Sequence, residues 1–252
     1  MKSGRAFLKL IVFLAGTLFF YALIMMVAFL SLLGLNYEFH RSHLLNKWGK
    51  FACTVLGMQI TVKGTPPGPP FFLVSNHLSY IDVFLLFSKV RGLFIAKSDV
   101  KSWPLIGSII KSCGILFIDR EKRRDITRVN RLIQHNITED QGIIMFPEST
   151  TSDGKEVLPF RSSLLQYPAE VKMPVSYAVI NYSTGDGEEP ASKAVCWWTE
   201  TPFFVHFFNL LKLKKISAHI TFGDQKVIMN NRKTLSKKLE ECVRSDFIPV
   251  TK

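Results

Sequence analysis

The sequence contains no Gly-x-Ser-x-Gly elbow, no Cys-x-x-Cys pair and no internal repeat. The first absence removes the usual setting of a hydrolase serine. The second, with cysteines only at 53, 113, 196 and 242, removes a dithiol redox motif and leaves reduced thiols or packing residues, as a domain facing the cytoplasm would carry. Zinc-ligand spacing and RNA-binding signatures are also missing. A net charge of +12 calls for a polyanionic partner, and without those signatures the expectation is an anionic membrane and no nucleic acid. The longest gap is one of charge: none falls among the 28 residues between Lys9 and Glu38. At ~1.5 Å per residue such a helix exceeds the ~30 Å hydrocarbon core, and it is too long for a typical signal-peptide core. A single tilted span and a bent re-entrant hairpin both fit. Lys2, Arg5 and Lys9 on one flank balance Arg41, Lys47 and Lys50 on the other, so the positive-inside rule gives a tie.

Beyond the apolar stretch, short hydrophobic runs alternate with helical patterns. Strands are expected at 71–75, 93–96, 115–118, 142–146, 173–181, 194–198 and 216–222. Helices are expected near 80–90, 103–112, 122–139, 161–170 and 203–213. Ile126, Val129, Ile133 and Ile137 recur at helical spacing with Arg and Lys between them, and Leu235, Leu239 and Val243 form a last stripe. This alternation predicts an α/β fold, a mixed and largely parallel sheet flanked by helices. The chain divides into an anchor and juxtamembrane segment, 1–63, and a second domain, 64–252. Gly185-Asp186-Gly187-Glu188-Glu189-Pro190 reads as a surface loop. The sequons at Asn136 and Asn181 fall in an expected helix and strand and are discounted as glycosylation sites.

The chemistry-bearing segment is Asn76-His77-Leu78-Ser79-Tyr80-Ile81-Asp82, directly after Phe71-Phe72-Leu73-Val74. On an unbroken helix residues five apart diverge by about 140°, so His77 and Asp82 meet only if the backbone bends between them. A strand end, a turn and a helix start supply that bend, at the strand edge where open α/β sheets bind ligands. A carboxylate on Nδ1–H fixes the tautomer and leaves Nε2 as a base, an arrangement that typically contributes about 10²–10⁴-fold to a rate. Ser75 and Ser79 lie close enough in sequence for a serine triad. Taken alone, the pair reads equally well as a structural cap and as a catalytic base.

Further segments tilt the balance. Residues 71–225 resemble the lysophosphatidic acid acyltransferase family, the bacterial-type 1-acyl-glycerol-3-phosphate acyltransferases. His77 to Asp82 matches the family's His-x4-Asp motif, Gly114-Ile115-Leu116-Phe117-Ile118-Asp119-Arg120 its second motif, and Phe146-Pro147-Glu148-Ser149-Thr150 its third. Met173-Pro174-Val175 sits where the fourth falls, and Lys97 with Pro104 and Gly107 also fits. The resemblance implies acyl transfer from a thioester, acyl-CoA or acyl carrier protein, to the free hydroxyl of a lysophospholipid. It implies no cofactor and no metal. His77 would be the base and Asp82 its orienting partner. Arg120 would anchor the anionic head through its guanidinium fork, although a salt bridge to Asp119, Glu121 or Asp125 is the competing reading. Glu148, Ser149 and Thr150 would belong to the acceptor site, Glu148 bonding the acceptor or holding an arginine. Lys97 joins them on the substrate side. The enzyme would be integral to the membrane, with its catalytic domain facing the cytoplasm.

The third motif departs from the common Phe-Pro-Glu-Gly-Thr-Arg-Ser: Ser149 replaces Gly and Thr151 replaces Arg. Ser149 implies either that no positive φ is needed there or that one is tolerated at a cost. The missing arginine weakens the case for a phosphomonoester head. The following Thr151-Ser152-Asp153-Gly154 and Leu158-Pro159-Phe160-Arg161 resemble a subgroup that includes lyso-ornithine lipid acyltransferases, with Lys97, Lys155 or Arg161 as replacement charge. Three readings follow: a 1-acyl-glycerol-3-phosphate acyltransferase, a lyso-ornithine lipid acyltransferase, and a membrane-bound lipid-binding protein without catalysis.

Overall fold

The protein, seen in a computed structural model, is described over residues 2–98, 106–119 and 122–250. The chain begins with helices α1 (Lys2–Ser31) and α2 (Tyr37–Leu56) and strand β1 (Met58–Lys63). Then come β2 (Phe72–Ser75), α3 (Asp82–Lys89), β3 (Gly92–Lys97), α4 (Ile106–Ser112), β4 (Leu116–Ile118), α5 (Arg123–Asn136) and β5 (Gly142–Met145). The last part holds a 3-10 turn (Ser163–Leu165), α6 (Gln166–Glu170), β6 (Val175–Thr184), α7 (Ala191–Ala194), α8 (Phe203–Leu211), β7 (Ile216–Phe222) and α9 (Arg232–Asp246).

The strands form one sheet in the order β1-β7-β6-β2-β5-β3-β4. β6, β2, β5, β3 and β4 run parallel. β7 pairs antiparallel to β6, and β1 parallel to β7. The sheet is therefore mixed and largely parallel, as the alternation of runs predicts. Phe72-Leu73-Val74-Ser75 and Gly142-Ile143-Ile144-Met145 are buried at every position, because helices cover both faces of the parallel part and leave no side for water. All five parallel strands end on one edge, and that edge carries the residues following Ser75, Lys97, Ile118 and Met145.

One expected strand is absent and one strand was not expected. Residues 194–198 are not a strand. Pro190 precedes a single helical turn, α7, and Val195 and Cys196 then pack inward without a ladder. The neighbouring slot in the sheet is already filled by β7 on β6. Conversely, 58–63, grouped with the anchor in the sequence division, is an edge strand in register with Ile216–Thr221. Helices at 122–139 and 161–170 are shorter than expected, and the second is split into the 3-10 turn and α6. Part of the helix expected at 103–112 lies outside the described residues.

The apolar stretch is a continuous helix of ~45 Å at 1.5 Å per residue, and it folds back onto α2 through a turn at Gly34, where φ is 95°. Trp48 Nε1 donates to Thr17 Oγ1 at 3.1 Å while Lys9, earlier in α1, reaches Leu56 at the far end of α2, so α1 and α2 are an antiparallel pair. The amino-terminal cations face the rest of the protein. Lys9 Nζ donates to the carbonyls of Leu56 at 3.2 Å and Leu213 at 3.0 Å, and Arg5 donates to Lys212 O. They neutralise the negative carboxyl ends of α2 and α8. Phe13 inserts between Phe84 and Phe207. The opposite face of α1, including Leu18, Phe19, Met26 and Phe29, is exposed and apolar.

Candidate active site

His77 follows β2 and Asp82 opens α3, with the bend between them made by residues 78–81. Asp82 shapes that bend. Its Oδ2 accepts the backbone N–H of Leu78 at 2.8 Å and of Ser79 at 3.0 Å, so the loop wraps the carboxylate. The same oxygen lies 2.8 Å from His77 Nδ1. Tyr182 Oη donates to the other oxygen, Oδ1, at 2.7 Å. A carboxylate receiving four hydrogen bonds is an acceptor only, so the proton sits on Nδ1 of His77 and Nε2 is the basic nitrogen. Asp82 is fully buried, whereas His77 keeps 19% of its side-chain surface open.

Each neighbour constrains the histidine further. Its ring stacks on Phe146 at 3.9 Å between centroids, nearly parallel, and Phe146 in turn stacks on Phe94. Its carbonyl accepts from Ser152 N at 3.0 Å. Its own N–H donates to Glu148 Oε1 at 3.0 Å. Asn76 exchanges two bonds with the backbone of Ile180, at 2.9 and 2.7 Å, extending the β2–β6 pairing beyond the strand end. Neither nearby serine reaches the imidazole: Ser75 Oγ contacts Asn76 Oδ1 at 3.5 Å, and Ser79 Oγ is buried without a partner. No serine triad forms.

Glu148 is buried. Its Oε2 accepts from Leu158 N at 3.3 Å while Oε1 holds His77 N, so the carboxyl ties the 146–158 loop to the base. Burial pushes its carboxyl from the ordinary 4.5 up to about 8, against the two backbone donors, and the charge of Asp82 pushes the same way as burial. Ser149 has φ of 72°, the left-handed region that glycine adopts freely and serine does not. Of the two implications of a serine here, the structure shows the costly one. Thr150 is exposed beside it. Thr151 Oγ1 donates to Trp197 O, and Trp197 N donates to Leu78 O at 2.9 Å. The segment expected as a strand thus bridges the third motif and the His77 loop. Lys97 ends β3, exposed, opposite Ile118 of β4. Arg120 lies outside the described residues. Lys155 pairs with Asp153 at 2.9 Å on the surface.

Sequence reasoning missed two supports. Tyr182 reads as one more aromatic in a core strand, because its partner is a hundred residues away. Asn76, quoted within the motif, had no role until its bonds to Ile180 were visible. Among the described residues no group of three or more His, Cys, Asp or Glu side chains is arranged to hold a metal.

Known proteins resemble this chain in sequence and in fold. The acyltransferase family model matches residues 59–180. A lyso-ornithine lipid O-acyltransferase of Rhodobacter capsulatus is 29% identical over 203 residues, 78% of this chain and 72% of that protein. A 1-acyl-sn-glycerol-3-phosphate acyltransferase of Neisseria gonorrhoeae is 28% identical over 201 residues, 78% of each. The crystal structure of the 1-acyl-sn-glycerophosphate acyltransferase PlsC of Thermotoga maritima shares the fold, with a TM-score of 0.68 over 97% of this chain and 95% of that one at 23% identity.

Proposed function

We propose that the protein is a membrane-bound O-acyltransferase that moves a fatty acyl group from a thioester to the free hydroxyl of a lysophospholipid, a reading supported by the match of residues 59–180 to the acyltransferase family model. The observation that carries the mechanism is the 2.8 Å contact of His77 Nδ1 with Asp82, which leaves Nε2 as the base at the open strand edge. The acceptor hydroxyl gives its proton to Nε2 as its oxygen attacks the thioester carbonyl carbon. The carbon–oxygen bond forms, the tetrahedral intermediate collapses with loss of the carbon–sulfur bond, and the imidazolium returns the proton to the departing sulfur. Asp82 stabilises the imidazolium between those steps. Glu148 acts through the backbone, holding His77 N and the motif loop together. Lys97, at the end of β3, and Arg120 of the second motif meet the negative charge of the head group. Acyl-CoA and acyl carrier protein both present the required thioester.

The acceptor we favour is 1-acyl-glycerol-3-phosphate. A second acceptor, lyso-ornithine lipid, is supported by position 151, where a threonine bonded to Trp197 O stands in place of a phosphate-binding arginine. Purified enzyme given both acceptors with acyl-CoA and with acyl carrier protein thioesters, and products read by mass spectrometry, decides between them. Exclusive phosphatidic acid selects the first acceptor, and exclusive ornithine lipid the second. His77→Ala abolishes turnover with either while leaving membrane insertion intact. Acyl transfer at the parent rate by that variant would exclude an imidazole base. Protonation of His77 also gives the rate an acidic limb, and a profile flat from about pH 5 to 8 argues against the mechanism. Lipid binding with no transfer from any thioester points instead to a binding protein.

A further inference from the structure

We propose that Tyr182, on β6 beyond the residues matched by the family model, is a positioning residue that sets both the direction and the basicity of the catalytic pair by holding the second oxygen of Asp82. The inference rests on His77 as the base. A carboxylate bonded only through Oδ2 rotates about its Cβ–Cγ bond. The 2.7 Å bond from Tyr182 Oη to Oδ1 fixes that rotation, and with it the plane in which Oδ2 meets His77 Nδ1. Tyr182 is itself held in place: it is buried, and its strand pairs there with β7, with Ala218 opposite it in register. Burial, joined by the charge of Asp82, keeps its hydroxyl protonated well above the usual tyrosine range, so it is a permanent donor.

The hydroxyl also divides the charge of Asp82. A carboxylate that gives part of its negative charge to a strong hydrogen bond stabilises an imidazolium less. Among the described residues, the other titratable groups facing this centre are Glu148 on the loop after β5, Cys196 after α7 and Cys53 on α2. Burial raises both thiols, to about 12 and about 11, so they stay neutral. Glu148 bonds the backbone of His77 rather than its ring. Tyr182 is thus the neutral donor that weakens the pull of Asp82 on the histidine proton.

Tyr182→Phe removes one oxygen and keeps the ring, so thermal unfolding monitors the fold while two readouts test the role. The plateau kcat falls by about 5–50-fold with the acceptor KM unchanged, as misaligned hydrogen bonds to a charged group predict. The pH midpoint for carbethoxylation of His77 by diethyl pyrocarbonate, followed by peptide mass spectrometry, moves upward by about 0.5–1 pH unit. In an Asp82→Asn background the same substitution has no further effect on kcat. An unmoved His77 midpoint, or an equal loss in the Asp82→Asn background, overturns the proposal. Carbethoxylation needs no turnover, so a protein that transfers no acyl group at all removes the enzymatic reading while the Tyr182–Asp82–His77 linkage is still tested.

Discussion

At the scale of the residue, the third motif stores strain and an unusual proton. Ser149 at φ 72° occupies a conformation that costs a non-glycine residue about 1 kcal/mol or more. Ser149→Gly relieves that cost, offset in part by the greater chain entropy of glycine in the unfolded state, for a net stabilisation of about 0.5 kcal/mol, visible as a higher unfolding midpoint in detergent; a lower midpoint contradicts it. Glu148 makes a pH-dependent contribution of a sign opposite to that of most carboxylates. With its carboxyl raised from 4.5 to about 8, the native state holds a proton that the unfolded chain releases. Its stabilisation is therefore complete below about 4.5 and is lost as pH rises through about 8. Glu148→Gln leaves one backbone amide poorly accepted and lowers stability at every pH by about 1–3 kcal/mol. It also flattens the decline between pH 5.5 and 8.5, and an unchanged slope places the raised carboxyl elsewhere. The meeting of His77 and Asp82 was legible because a five-residue step after an apolar run admits few geometries. The φ of Ser149 and the bond from Tyr182 were not, since both depend on where distant strands end.

At the scale of the element, the sheet was readable wherever strands are buried on both faces, because β2 and β5 are unbroken apolar runs. It was misread where burial and pairing part company. Val195 and Cys196 are buried but join no strand, their N–H groups bonding Ala191 O instead, whereas Met58-Gln59-Ile60-Thr61-Val62-Lys63 pairs along its length with mostly exposed side chains. Its period-two alternation between Gly57 and Gly64 was the signal available for that edge strand. The placement of α3, and hence of Asp82, depends on a close approach that sequence does not announce. A Cβ on Gly49 of α2 would lie 2.6 Å from Ser88 N and 2.8 Å from Phe84 O, both main-chain atoms that cannot swing away. Gly49→Val therefore separates α2 from α3, costing about 1–3 kcal/mol or more and lowering activity by displacing Asp82. Gly4→Ala, with nothing within 4 Å, leaves both unchanged. Equal activity and equal unfolding midpoints for the two variants would show that this contact does not set the site.

At the scale of the whole molecule, the charge distribution and the exposed face of α1 favour the same surface. Lys2 pairs with Glu188, and Arg5 and Lys9 bond carbonyls of the domain, so the cations expected to flank a span are held against the protein instead. What α1 offers outward is apolar, with Phe29 66% and Leu8 63% exposed. Each large apolar side chain removed from water contributes about 1.5–3 kcal/mol, whereas attraction between basic residues and anionic lipid is screened within ~3 Å at 1 M salt. Membrane attachment should therefore survive a 1 M salt wash and depend on the α1 face. Replacing Leu14, Leu18 and Phe29 together by Gln removes about 5 kcal/mol or more, a loss of nearly four orders of magnitude in partitioning, while Phe13 and the Lys9 contacts keep α1 docked. In liposome flotation the parent stays with the vesicles after the wash and the triple variant is recovered in the soluble fraction. Release of the parent by salt, or flotation of the triple variant like the parent, would transfer the role of membrane contact from this helix face to the basic surface.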